Sequence, residues 1–219
     1  MTIQENVKNI AEELKKINSS ASIIAASKTR SIEEIRACME TGLVLGVGEN
    51  RVQEFREKFT PDFRWDFIGR LQTNKVKYIV GKADTIHSMD RIALAEELQR
   101  ECQKKDVKQK VLIEINSGEE ESKGGIRLDE LDAFSDKLSK FDRIIVSGLM
   151  AVAPVFYSEE ELEKTFDNVY NAFFKRKTDV FSVLSMGMSN DYLIAAKCGA
   201  NIVRPGRAIF GERNYAPKE

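Results

Sequence analysis

The sequence predicts an α/β protein, a (β/α)8 TIM barrel with an extra N-terminal helix, and three observations carry that prediction. Short β-type apolar runs alternate with amphipathic helical stretches along the whole chain, recurring every ~25 residues as βα units do. The runs number eight, the strand count of the closed barrel. No Pro-, Gly- or Ser-rich linker divides the 219 residues and the 4 prolines are scattered, so residues 1–219 read as a single domain. An open doubly wound sheet is the alternative architecture.

The elements follow in order. In residues 1–18, Ile3, Val7, Ile10, Leu14 and Ile17 recur three or four apart within a charged segment; this is the pattern of an amphipathic helix and not of a signal peptide. Strands are expected at 22–27, 43–47, 65–68, 85–86, 110–115, 144–149, 181–184 and 202–203, and helices at 31–41, 73–80, 91–104, 128–140, 159–175 and 191–198. Ser31 followed by Glu34 forms a capping box, in which a hydroxyl accepts from orphan amides and a carboxylate reaches back. Asp90 and Ser158 stand where the N-caps of two later helices belong. Phe166, Val169, Tyr170 and Phe173 share one helical face and form a core stripe.

Composition narrows the function. Lys+Arg at 34 against Asp+Glu at 35 gives a net charge of −1, with 42% hydrophobic and 32% charged residues, the balance of a folded globular chain. That balance calls for neither nucleic acid nor an anionic membrane as partner. The longest uncharged stretch, 144–158, is interrupted by Gly148 and Pro154 and falls short of the ~20 residues of a membrane span. A cytoplasmic protein is expected. Cys38, Cys102 and Cys198 are odd in number and widely spaced, which suggests neither a disulfide framework nor a zinc site. His87 is the single histidine, so a metal site built on a histidine pair is excluded; at a strand end it reads as a hydrogen-bonded structural residue. Gly46-Val47-Gly48 begins a dinucleotide fingerprint, but Arg51 occupies the place of the third glycine. Lys175-Arg176-Lys177 and the lysines at 104, 105, 108 and 110 read as solvated faces.

In a barrel of this kind the strand C-termini converge on one face, which holds the site. Lys28 directly follows Ile23-Ile24-Ala25-Ala26-Ser27 and should project from a buried strand into the mouth. Desolvation there favours the neutral amine, which condenses with aldehydes. The loops after the seventh and eighth strands carry Ser185-Met186-Gly187-Met188-Ser189 and Gly206-Arg207-Ala208-Ile209-Phe210-Gly211, where this fold recurrently binds phosphate. Glycines admit close backbone approach, and hydroxyls and amides point at the anion. An imine-forming lysine facing a phosphate cradle describes a pyridoxal phosphate site.

The motifs Ala26-Ser27-Lys28-Thr29, Gly48-Glu49-Asn50-Arg51-Val52-Gln53-Glu54, Phe67-Ile68-Gly69-Arg70-Leu71-Gln72-Thr73-Asn74-Lys75 and Ile86-His87-Ser88 come in that order. Gly148-Leu149-Met150-Ala151, Leu184-Ser185-Met186-Gly187-Met188-Ser189 with Asp191, and Arg204 with Gly206-Arg207-Ala208-Ile209-Phe210-Gly211 follow. Over nearly its whole length the chain resembles the pyridoxal phosphate homeostasis protein family, single-domain relatives of the alanine racemase barrel. The resemblance implies that Lys28 holds pyridoxal 5'-phosphate (PLP) as a Schiff base. It also implies that Ser189, Gly206 and Arg207 hold the phosphate, with Ser185 and Met186 lining that side. Arg204 would face the pyridine nitrogen and Asn50 would lie beside the ring. A guanidinium can only donate, so Arg204 keeps that nitrogen unprotonated and the cofactor a weak electron sink. The resemblance further implies a monomer active in PLP (vitamin B6) homeostasis, with apo PLP-dependent enzymes as possible recipients.

The chain departs from the family pattern in places. Asp66 stands where the family usually shows histidine, Pro205 replaces a usual aliphatic residue and cannot donate a backbone hydrogen bond, and Glu119-Glu120-Glu121 precedes Lys123-Gly124-Gly125. The alternative function is a PLP-dependent amino-acid racemase. Racemisation needs a base on each face of the cofactor; in two-domain racemases a tyrosine from an added β-domain supplies one, and 219 residues are expected to leave no room for that domain. No residue is therefore assigned a catalytic role. A third reading is a barrel enzyme whose Lys28 forms a Schiff base with a substrate ketone.

Overall fold

The structure, a computed structural model, describes residues 1–118, 124–154 and 156–212; the acidic run Glu119-Glu120-Glu121 and Lys123 lie outside the described residues. The chain opens with α1 (Ile3–Ile17), capped by a Thr2–Glu5 box. It continues through β1 (Ser22–Ala26), α2 (Ile32–Met39), β2 (Gly46–Glu49), α3 (Val52–Lys58), β3 (Trp65–Phe67), a 3-10 helix (Thr73–Tyr78), β4 (Thr85–Met89) and α4 (Ile92–Lys105). The second half runs β5 (Gln109–Ile115), a 3-10 turn (Leu128–Glu130), α5 (Leu131–Leu138), β6 (Ile144–Ala151), α6 (Glu159–Phe174), β7 (Val183–Ser185), α7 (Tyr192–Lys197), β8 (Ile202–Val203) and α8 (Arg207–Phe210). All eight strands are parallel and each pairs with the next, β8 closing on β1. The closed (β/α)8 barrel is therefore the fold, and no helix among the described residues is long and apolar enough to cross a membrane.

The Ser31–Glu34 box and the Ser158 cap form as expected, the latter completed by Glu161. Asp90 caps nothing. The N-cap of α4 is Arg91 without a side-chain bond, because the Asp90 carboxylate is taken by Arg91 and Arg70. The second strand lies further along than 43–47: Leu43 and Leu45 are exposed, while Gly46 and Gly48 allow the neighbours to close in. A Cβ at Gly46 would meet the Arg64 carbonyl at 2.8 Å, and one at Gly48 would meet Ile24 and Ile68 at 2.9 Å. Helices α3 and α8 were not anticipated, being 7 and 4 residues long, too short for a periodic signal.

One apolar cluster lies between the strands and helices of most of the barrel, with Trp65, Phe67, Ile113, Leu149 and Phe166 buried in it. A second joins Val7, Ile10 and Leu14 of α1 to Ile23, Val203, Ile209 and Phe210. The extra N-terminal helix thus packs behind the last two βα units. Asn6 Nδ2 donates to the Ile209 carbonyl (2.8 Å) and Asn18 Nδ2 to those of Ala196 and Ala200, tying α1 to the segments that frame the mouth.

Candidate functional site

A cavity of about 830 Å³ opens at the C-terminal ends of the strands. Lys28, Asn50, Ser189, Arg204, Gly206 and Arg207 all line it, together with Ala26, Tyr157 and Asp191. Six of the eight expected site residues thus meet at one place. Ser185 and Met186 do not line it. Both are fully buried: Ser185 lies beneath Arg204 as its hydrogen-bond acceptor, and Met186 belongs to the apolar core. A larger cleft of about 1120 Å³ lies between α3 and the 3-10 helix and shares the Asn50 wall. The site is assigned to the smaller cavity because Lys28 and Arg204 both line it and neither lines the larger cleft.

Lys28 stands two residues beyond β1 on a tip that is held from below. Thr29 has φ +66, in the left-handed region a threonine rarely occupies, and its N–H donates to Glu54 Oε2 at 2.7 Å. Lys58 Nζ bonds Glu54 Oε2 (2.9 Å), Glu49 Oε1 (2.8 Å) and the Ser27 carbonyl (3.1 Å), while Ser27 Oγ donates to Glu49 Oε1 at 2.6 Å. Burial raises the pKa of Glu49, against the opposing pull of Lys58 and Ser27. Glu49, Glu54 and Lys58 are supporting residues that sequence reasoning missed. The i,i+4 spacing of Glu54 and Lys58 was the available signal.

The opposite wall is built from the seventh and eighth units. Ser189 Oγ accepts from the N–H groups of Gly206 (3.0 Å) and Ala208 (3.1 Å), and Asn190 Oδ1 accepts from Arg207 (3.1 Å). A Cβ on Gly206 would meet the Ala26 carbonyl at 3.1 Å, so glycine brings this turn against β1. The carbonyl of Pro205 accepts from the Ala26 N–H at 3.0 Å. Asp191 accepts from the Met188 N–H, and burial raises its pKa despite that bond and the nearby Arg204 charge.

Arg204 forms the floor and is 4% exposed. It donates to Ser185 Oγ (2.5 Å) and to the Ala151 carbonyl (2.9 Å). Burial lowers its pKa to about 10, against the attraction of Asp191 and Glu114. A guanidinium has five N–H donors. Protein groups take two of them among the described residues, and Arg204 lines the cavity.

A closed parallel barrel with a lysine, a buried arginine and a hydroxyl-and-amide turn at its mouth defines a class, and the chain belongs to the family described as alanine racemase, N-terminal domain, whose profile matches residues 2–214. Among its relatives, the pyridoxal phosphate homeostasis protein of Aquifex aeolicus (strain VF5) is 40% identical over 220 residues, covering 97% of this chain and 96% of that protein. The protein of the same name from Escherichia coli (strain K12) is 35% identical over 90% of this chain and 87% of its own. The solved structure of PipY from Synechococcus elongatus PCC7942 with PLP bound superposes with a TM-score of 0.82 at 29% identity, covering 96% of this chain and all of that one.

Proposed function

We propose that this protein binds PLP as a Schiff base on Lys28 and serves intracellular PLP homeostasis as a monomeric cytoplasmic carrier that delivers the cofactor to apo-enzymes. The observation that carries the reading is the convergence of Lys28, Arg204 and the Ser189–Gly206 turn on one cavity. The residues present fit the group on their own chemistry. The unused donors of Arg204 suit a pyridine nitrogen, and the Ser189 hydroxyl with the Gly206–Arg207 turn suits a phosphate, the Gly206 N–H having to turn from Ser189 Oγ to the anion; Asn50 lines the same cavity. Bound there, PLP supplies an aldehyde for condensation with amines. Lys28, at the cavity wall, is the residue whose Nζ would hold that aldehyde. Arg204 only donates, so it favours the unprotonated pyridine and a weak electron sink. That suits holding over catalysis.

Tyr157, which lines the same cavity, favours a racemase-like second reading, since a phenol there could act as a second base. Proton exchange at Cα of a panel of amino acids in D2O separates the two. The carrier reading expects exchange no faster than with free PLP. Fast exchange that Tyr157→Phe abolishes would establish the enzyme instead.

A further inference from the structure

A line of buried polar groups crosses the barrel interior below the cavity. Arg204 donates to Ser185 Oγ at 2.5 Å, Ser185 Oγ lies 3.1 Å from His87 Nδ1, and His87 Nε2 lies 3.0 Å from Asp66 Oδ2. Arg64 closes the line on the far side, at 3.2 Å from each Asp66 oxygen. Ser185, His87 and Asp66 are all 0% exposed. They come from β7, β4 and β3, so no local sequence pattern joins them.

We infer that this line is a one-way hydrogen-bond chain, Arg204 to Ser185 to His87 to Asp66, which fixes His87 as its Nε2–H tautomer and makes Asp66, His87 and Ser185 positioning residues for the Arg204 guanidinium. The direction follows from donor counting. Arginine cannot accept, so Ser185 Oγ accepts from it and turns its own hydrogen to His87 Nδ1. That nitrogen is therefore the bare one, and the neutral ring carries its proton on Nε2. There it meets a carboxylate that can only accept. Both ends are one-directional, and together they leave a single arrangement with every member satisfied; partial satisfaction of such a buried network is costly. The groups facing the ring agree: burial lowers the His87 pKa, Arg204 and Arg64 oppose a second cation, and the Asp66 charge does not outweigh them. Asp66 leaves only one polarity.

The ligand that Arg204 addresses rests on the proposed PLP reading, whereas the tautomer does not. Because His87 is the only histidine, 15N-histidine labelling of the full chain yields one pair of ring nitrogens. The expected result without PLP is a protonated Nε2 and a bare Nδ1 at neutral pH. A protonated Nδ1, or an imidazolium, overturns the chain. In Ser185→Ala the Nδ1 resonance should move toward that of a free acceptor. The absorption of bound PLP should shift, and its affinity should fall by about tenfold, as loss of a hydrogen bond to a charged group implies; Ser185→Thr should restore both. An unchanged PLP spectrum and affinity in Ser185→Ala would overturn the positioning role. Failure of the parent protein to take up PLP would overturn the functional reading and the positioning role with it, and the ring signals would still decide the tautomer.

Discussion

The two sides of the barrel are built on different plans. β5 and β6 pair along their length, from Gln109 with Ile144 to Ile115 with Ala151, with one register shift between Val111 and Leu112, and the strand interiors hold buried Val111, Leu112, Ile113 and Leu149. β7 and β8 meet at one pair, Ser185 with Ile202, and β8 meets β1 at two. That side carries buried Ser185, Asp191, Arg204 and Ser27. A long ladder consumes its backbone groups in the sheet, whereas short strands end early and leave N–H and C=O groups to turns that can face a ligand. The long ladder lies on the first side and much of the cavity's polar lining on the second, with α1 packed behind the second.

The largest effect is expected where the two plans meet. Gly148 on β6 has φ +152, and a Cβ there would lie 1.8 Å from the Val183 carbonyl of β7. Gly148→Ala should cost about 4 kcal/mol or more, or prevent folding; urea denaturation measures it, and a loss under 1 kcal/mol would show that the seam is slack. Next, Ile113→Ala should cost about 2–5 kcal/mol through the cavity it leaves while the absorption of added PLP stays as in the parent. A changed spectrum would break the division between the two sides.

A partly buried carboxyl on the long side, Glu114 of β5, gives a smaller, pH-dependent effect. Burial first, and then the Asp90 charge, push the Glu114 pKa up to about 7, against Arg204, Arg70 and Arg91. A raised folded-state pKa means its contribution is full below the unfolded value and is lost as pH rises through about 7. Glu114→Gln should match the parent at pH 4 and exceed it by about 2 kcal/mol at pH 8. The lowered His87 pKa works the other way, withdrawing stability as pH falls below about 6.5. That acid limb should survive in the variant.

What the sequence discloses follows the range of the interactions. The barrel, the Ser31 box, the Ser158 cap and the Lys28 tip are local: each rests on a few adjacent residues and a period of two or 3.6. The position of β2 depends on Arg64, Ile24 and Ile68 closing on glycines, so the apolar run 43–47 misleads by three residues. Asp90 has the chemistry of a cap, yet distant Arg70 competes for it. Ser185 belongs to the right loop but faces inward, and its partners His87 and Arg204 lie on other strands. Local pattern therefore discloses which loops form the site. Which side chain looks into the cavity and which supports from beneath depends on register.

The central claim is that Lys28 carries the cofactor, and borohydride reduction after incubation with PLP, followed by peptide mass mapping, tests it most directly. The account predicts a single pyridoxyl adduct on Lys28, absent in a folded Lys28→Ala protein. An adduct on another lysine, or none at all, would contradict it.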